Sequence, residues 1–445
     1  MGKKLAILGG GESGVGAALL AGREGYDVVL MDESSLKDSY RNELKQNGIK
    51  FFEKDMKEDE LLAVDEVVKS PGIPEKNEWI KKIRKKGIPV ISEIELAYRH
   101  KGNSKIIAIT GSNGKSTTTA LIYHICKNAD MNCALVGNIG YSFARQVAED
   151  PKKLYVAEIS SFQLDDIETF RPDVAVLLNI TEDHLDRYEY KFENYINSKF
   201  RITMNQSSDD YFIYNLDDEI ITNYIERKKI NSNQLPISMK QKVEKGGYIQ
   251  NEELHVNVNS EQQTMSIYDF ALKGKHNQYN TMAACVAGAT MDIRKNKIRE
   301  AVQTFENLEH RMEPVATIRG VEFINDSKAT NINSTWFALE SMTRPTILIL
   351  GGIDKGNDYS LINDLIKEKV KAIVCMGLDN TKIHEAFENE VKMMDTHSAE
   401  QAVQVSFHLA EPGDVVLLSP ACASFDLFKN YEDRGIQFKE AVKNL

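Results

Sequence analysis

Short apolar runs recur along the chain, each stopped by glycine or a polar turn and followed by residues with the periodicity of an amphipathic helix. KLAILGG opens the series, a helix is predicted from about Val15, DVVLMD is the next strand, and a second helix is predicted around Leu36 to Asn47. Strand, helix and strand in this order read as βαβ units. EVVKS, IPVIS, KIIAITG, LYVAEIS, VAVLLNI and YFIYN continue the pattern, so sheets built largely from parallel strands are expected through the first two thirds. A third set begins near residue 315 with VATIRGVEFIND, TILILGG, AIVCMG and DVVLLSP. Residues 230–270 are polar and strand-like, and are predicted to be an antiparallel extension of the middle domain.

At 445 residues the chain exceeds what a single core organises. The polar, glycine-bearing segment 99–105 and the stretch just before His310 are the predicted boundaries, dividing the chain into residues 1–98, 99–305 and 306–445. Charged residues make up 27% of the chain and the net charge is −11, with acids and bases interspersed. That balance argues against nucleic acid or an anionic membrane as partner. No apolar run reaches the length of about 18 residues that a membrane helix needs, so no membrane insertion is expected. Lys3 and Lys4 precede an apolar stretch as in a secretory signal, but the glycines that follow suit a strand, turn and helix better. Five cysteines without CxxC spacing fit free thiols in a reducing cytoplasm.

The densest chemistry lies in AITGSNGKST, residues 108–117. Gly111 and Gly114 permit backbone angles that turn successive N–H groups inward, Asn113 lies between them, and the following helix adds the positive end of its dipole. Lys115 would reach the outer phosphates of a nucleotide, and Ser116 or Thr117 would ligate Mg²⁺. The strict phosphate-loop spacing wants a glycine where Ile109 stands. Glu158 ends LYVAEIS and His184 follows VAVLLNI; if those strands flank KIIAITG, both face the cradle as candidate Mg²⁺ ligands. In the first unit Gly9, Gly11 and Gly14 are spaced G-x-G-x-x-G, with Asp32 at the end of the next strand and the SPGIP turn (Ser70, Gly72) after another. This suits a dinucleotide, a mononucleotide or a nucleotide-sugar equally. Lys328 in FINDSKATN and Lys355 in GGIDKGNDY sit at strand ends of the third unit, as an anion site would require.

Taken together, TGSNGKST, AEISSFQL, NITEDHLDR, GKHNQYN, EHRMEP, NDSKATN and SPACASFDLFKNYEDRG resemble, in order and across nearly the whole chain, the Mur ligases of cell-wall peptide synthesis, and within them the D-glutamate-adding branch. The family's shorter TGxNGK[ST] loop accounts for Ile109. The resemblance implies an α/β chain of three domains: Rossmann-like, then P-loop ATPase-like with a mostly parallel sheet, then Rossmann-like. It implies a monomer that uses ATP and Mg²⁺ to join D-glutamate to UDP-N-acetylmuramoyl-L-alanine through an acyl phosphate and a tetrahedral intermediate.

Residue by residue, the resemblance puts Lys115 on the ATP phosphates. Glu158 and His184, with Ser116, fall on Mg²⁺, and Lys199 stands where the family carries a carbamylated lysine that also serves the metal. Asn277, Arg311 and Asp326 fall on the nucleotide and Lys328 at the reaction centre. Asn138, Ser160 and Gln163 fall on the UDP-linked substrate, joined by Gly14, Asp32, Glu33, Ser70 and Gly72. Thr330, Lys355, Ser424, Phe425 and Tyr431 fall where D-glutamate is held.

Three alternatives remain open from the residues. One is another ligase of the superfamily, including a folylpolyglutamate synthetase, and one is a nicotinamide-dependent oxidoreductase resting on G-x-G-x-x-G. The third is a non-enzymatic P-loop switch.

Overall fold

The computed structural model describes residues 2–259 and 261–445 and is a three-domain α/β architecture built on three sheets. The first sheet holds five parallel strands, β1 (Lys4–Leu8), β2 (Asp27–Asp32), β3 (Lys50–Glu53), β4 (Glu66–Lys69) and β5 (Val90–Ser92), in the order β3-β2-β1-β4-β5. The second holds β6 (Lys105–Thr110), β7 (Cys133–Gly137), β8 (Leu154–Glu158), β9 (Val174–Leu177), β10 (Tyr211–Asn215), β11 (Asn233–Ser238), β12 (Gly246–Gln250), β13 (Glu253–Val258) and β14 (Glu261–Ser266). Its order is β14-β13-β12-β11-β10-β9-β6-β8-β7, which seats β6 between β8 and β9 as the sequence argument required. The third holds β15 (Glu313–Ile318), β16 (Val321–Asn325), β17 (Thr346–Leu350), β18 (Val370–Met376), β19 (Lys392–Thr396) and β20 (Val415–Leu418), in the order β15-β16-β20-β17-β18-β19. Among the described residues, no helix is long and apolar enough to cross a membrane.

The extension of the middle sheet is only partly antiparallel. β11 pairs parallel with β10, and β12 pairs parallel with β11; the direction reverses only at β12–β13 and β13–β14. The helix Glu219–Arg227 supplies the crossover that lets β11 return parallel. The helix precedes residues 230–270, so that polar stretch read by itself gives no sign of the crossover. KMMDT is an edge strand in which Thr396 alone is buried and Met393 is partly covered, too few apolar positions to impose a period, and β19 is not legible in the sequence.

By compactness the chain divides into two units, residues 1–271 with 278–305, and residues 272–277 with 306–445. The first two sheets therefore share one unit. Val15, Ala18 and Leu19 of the helix Glu12–Arg23 lie in the same buried cluster as Phe143, Ala144 and Val147 of the helix Phe143–Glu149. Buried Arg145 donates to Glu12 at 2.8 Å and also pairs with Glu43, while buried Lys69 meets buried Asp166 at 2.8 Å. Ion pairs of this kind are costly to break once desolvated, so they fix how the two sheets are joined.

Glu93 belongs to the same seam. Its carboxylate accepts the N–H of Ala144, and complete burial, reinforced by the charge of Glu12, pushes its carboxyl up to about 7. The folded chain thus keeps a proton that the unfolded chain has released above its ordinary value. This contribution is fully present at acid pH, below the unfolded value, and is lost as pH rises through 7. Its span is on the order of 3 kcal/mol. Denaturant unfolding should show Glu93→Gln flattening the decline in stability between about pH 4.5 and 7; an unchanged slope would assign the decline to other groups.

Candidate functional site

β6 carries the chain into the turn 111–114, from which the helix Lys115–Asn128 starts. Gly111 has φ +150° and Gly114 φ +82°, and a Cβ on Gly114 would lie 2.4 Å from the Asn280 Oδ1. Only glycine fits there without strain. No side chain caps the helix, so the N–H groups of its first turn face the turn without the usual Ser or Asp acceptor. Asn179 holds the loop from beside it: Asn113 N–H donates to its Oδ1 at 2.8 Å, and its Nδ2 donates to Asn113 O at 3.0 Å. Lys115 folds back over the turn, donating to the carbonyls of Gly111 and Ser112, each at 2.8 Å. A glycine turn with an uncapped helix start and a lysine above it is an anion cradle.

Glu158 ends β8 immediately beside this turn. Its Oε1 accepts from Asn138 Nδ2 at 2.9 Å, whereas Oε2 is buried with no hydrogen-bond partner among the described residues. A buried carboxylate oxygen left without a donor is what a cation would satisfy. His184 follows β9 in a left-handed conformation, φ 53°, which aims its ring at the same place; Phe162 meets the ring edge-on at 5.1 Å.

Lys199, on the helix Phe192–Phe200, is fully buried, and its Nζ donates to Gly111 O at 2.8 Å, the carbonyl that Lys115 also uses. It stands 4.6 Å over the Tyr195 ring. Burial, then the neighbouring charge of Lys115, pushes the Lys199 ammonium well below its ordinary range, against the opposing pull of Asp183, Asp165 and Glu158. Two ammonium groups on one carbonyl repel, which together with burial favours the neutral amine at Lys199.

One cavity of about 270 Å³ collects Lys115, His184 and Lys199 with Asn138, Ser160 and Gly72, and Glu158 reaches its wall through Asn138. A larger hollow of about 1120 Å³ lies alongside, lined by Asp165, Arg187, Tyr188 and Arg201 among others. It lacks Lys115, His184 and Lys199, and the chemistry selects the smaller. Asp183, Arg187, Phe162 and Tyr195 also line the smaller cavity and were not singled out from the sequence. Asp183 and Arg187 sit in NITEDHLDR on either side of His184, which was the available signal. Arg187 lies 4.3 Å over Phe162 and donates to Pro71 O at 3.2 Å, tying the SPGIP turn to the His184 segment.

Other predicted residues do different work in the backbone. Gln163 is buried and its Oε1 accepts from the Ser160 N–H and hydroxyl at 2.9 and 3.0 Å, closing a helix cap rather than lining the cavity. A Cβ on Gly14 would lie 1.8 Å from Gly9 O, so this glycine lets the first helix pack on its strand. The Asp32 carboxylate accepts the N–H groups of Gly10 and Ser34, both at 2.6 Å. Ser70 Oγ reaches Gly9 O at 3.4 Å. Glu33 is exposed, and a Cβ on Gly11 or Gly72 would meet only open space.

In the second compact unit, Asp326 follows β16 and is fully buried. It accepts the Ser419 hydroxyl at 2.9 Å and the Met312 N–H at 3.2 Å. Burial pushes its carboxyl up to about 6, opposed by Arg311. Asn277 Nδ2 donates to Lys273 O at 2.8 Å, and Lys328 stands 5.3 Å over the Tyr431 ring. A backbone bridge between Ile353 and Ala423 sets the Lys355 loop beside Ser424 and Phe425. Ser424 is buried, Lys355 exposed, Phe425 69% exposed and Thr330 half-buried. Arg434, which sequence reading passed over, is buried and donates to Ser327 O at 2.8 Å and Cys422 O at 3.2 Å, bracing both loops from below.

Known proteins match the chain throughout. Family models fit in succession: Mur ligase MurD-like N-terminal domain over residues 3–92, Mur ligase middle domain over 109–288, and Mur ligase glutamate ligase domain over 310–422. A UDP-N-acetylmuramoylalanine–D-glutamate ligase of Christiangramia forsetii is 53% identical over 100% of both chains. One from Bacteroides fragilis is 50% identical, also over 100% of both, and one from Salinibacter ruber is 39% identical over 99% of this chain and 97% of its own. Among solved structures, the UDP-N-acetylmuramate-alanine ligase of Thermotoga maritima has a TM-score of 0.64 at 16% identity, covering 99% of each chain. A pseudomurein peptide ligase type C from Methanothermus fervidus has a TM-score of 0.63 at 17% identity, again covering 99% of each. The likeness to these two is one of fold. With identity near one half sustained from end to end in its curated relatives, this chain belongs to the Mur ligase family.

Proposed function

We propose that the chain is an ATP-dependent ligase that adds D-glutamate to UDP-N-acetylmuramoyl-L-alanine, a step of peptidoglycan precursor synthesis. Full-length identity to relatives named for that reaction carries the substrate assignment. The labour divides among residues 1–98 for the UDP-substrate, 99–305 for ATP and 306–445 for the amino acid. Five buried free thiols fit a reducing compartment, and we place the reaction in the cytoplasm.

The chemistry follows from electrostatics. A free carboxylate is a poor electrophile; transfer of the terminal phosphoryl group of ATP to its oxygen cancels the charge and installs a leaving group. The amine of D-glutamate then attacks the acyl carbon, and phosphate departs from the tetrahedral intermediate. The N–H groups of the 111–117 turn and Lys115 hold the phosphates in place before charge builds up. The carboxylate oxygen without a donor on Glu158, with His184 and Ser116, fits Mg²⁺, which when bound supplies positive charge to the phosphate oxygens. Asn138, held by Glu158, is set to orient the substrate carboxylate. Lys199, as the deprotonated amine, takes up carbon dioxide; its N–C bond forms, a proton leaves, and the carbamate replaces a repelling ammonium with an anion beside Lys115 and the metal site.

In the second unit Asn277, Arg311 and Asp326 are assigned to the nucleotide and Lys328 to the reacting groups. Thr330, Lys355, Ser424, Phe425 and Tyr431 are assigned to D-glutamate.

The direct test is phosphate release from ATP with Mg²⁺ and UDP-N-acetylmuramoyl-L-alanine. Turnover should require D-glutamate and fail with L-lysine, L-alanine or diaminopimelate. Equal turnover with any of these would move the chain to another branch of the family.

A further inference from the structure

We propose that Cys375, His384 and Asp395 form a binding site for a thiophilic divalent transition-metal cation, of which Zn²⁺ and Co²⁺ are examples. The site lies within the second compact unit and is independent of the reaction assigned above. Cys375 and Asp395 are direct partners in the parallel pairing of β18 with β19, so their side chains stand on the same face of the sheet, one strand spacing apart. The helix Thr381–Phe387 covers that face: its Ile383 and Phe387 share the buried cluster of Cys375, and its His384 turns to the sheet edge. The His384 Nε2 lies 3.0 and 3.1 Å from the two Asp395 oxygens. One ligand atom from each of the three residues falls within 4.8 Å of the others. Sulfur and nitrogen bound to one tetrahedral ion are separated by roughly 3.5–4 Å, so only a small contraction is needed.

Three further features suit a cation rather than a chance meeting. Asn380 Nδ2 donates to Asp395 Oδ1 at 2.9 Å, the kind of outer hydrogen bond that orients a ligating carboxylate. β19 is an edge strand, and the side chains of His384 and Asp395 are 33% and 50% exposed, so a cation can enter from the side and keep a water as its fourth ligand. The donor set of one sulfur, one imidazole nitrogen and one carboxylate oxygen selects zinc-like ions over Mg²⁺, which prefers oxygen alone. On binding, the Sγ–metal bond forms as the thiol proton leaves to solvent, and no oxidation state changes. β18 lies three strand steps from β16, whose end carries Asp326, about 14 Å across the sheet. The cation would therefore pin the edge strand to its covering helix without touching the Asp326 cluster.

The test is titration of the metal-stripped, full-length chain with Co²⁺ in excess Mg²⁺, followed by absorption. The wild type should take up one tight equivalent with a near-ultraviolet sulfur-to-cobalt charge-transfer band. Cys375→Ser should lose that band. His384→Gln should weaken Co²⁺ binding by about a hundredfold, above the usual effect of disturbing an outer partner. Absence of the band in the wild type, or its persistence in Cys375→Ser, overturns the proposal. Should circular dichroism show that Cys375→Ser does not fold, His384→Gln, at a partly exposed position, decides the matter, and an unchanged Co²⁺ affinity overturns it.

Discussion

Lys115→Ala should lower D-glutamate-dependent phosphate release by about a thousandfold, the upper range for loss of one preorganised donor at a developing charge. The reason is geometric. In the structure the Lys115 Nζ already lies over the turn, 2.8 Å from the carbonyls of Gly111 and Ser112. On the proposed function a small movement would transfer those hydrogen bonds to phosphate oxygens, with little reorganisation. Alanine leaves the N–H groups of the turn in place but removes the lysine charge that the proposed function assigns to the outer phosphates. Circular dichroism should be unchanged, because the Lys115 side chain donates to the backbone carbonyls of Gly111 and Ser112 in its own turn and takes no part in the core. A steady-state kcat/KM within tenfold of wild type would show that the phosphates lie elsewhere.

The second large effect belongs to Lys199. Lys199→Ala should reduce turnover by a comparable factor, on the order of a thousandfold, and a short-chain carboxylate such as acetate should restore part of it. Burial and the charge of Lys115 both favour the deprotonated amine, the form that reacts with carbon dioxide. Alanine leaves a hole beside Gly111 O and Tyr195 large enough for a small anion. Rescue separates a carboxylate-like role from mere packing, since a packing defect would not respond to acetate more than to a neutral molecule of the same size. Full activity in the alanine variant would show that the carbamate is dispensable.

Much of this was legible in the sequence, and the reason differs from residue to residue. Gly111, Gly114 and Lys115 form a contiguous motif whose geometry is local, so their arrangement followed from the order of residues. Glu158 and His184 needed one further step, the seating of β6 between β8 and β9, which parallel-sheet patterning supports. Lys199 is less accessible: it lies on a helix whose approach to Gly111 is set by tertiary packing, and only the resemblance pointed to it. Gln163 shows the opposite limit, because a glutamine five residues past the end of β8 looks available for substrate until the chain shows its oxygen engaged by Ser160. Arg434 was illegible because a buried arginine that braces two loops has no local pattern. The parallel return of β11 depends on the crossover helix Glu219–Arg227, which lies before the polar stretch read as one antiparallel extension.

The seam between the first two sheets has a practical corollary for anyone who trims this polypeptide. The glycine-bearing stretch at 101–104 looks like a place to cut, yet Val15, Ala18 and Leu19 on one side of it are covered by Phe143, Ala144 and Val147 on the other. A truncated fragment ending there would carry a bare oily stripe and orphaned partners of Arg145, and would clump rather than stand alone. Excision of residues 1–98 has to take the second sheet with them.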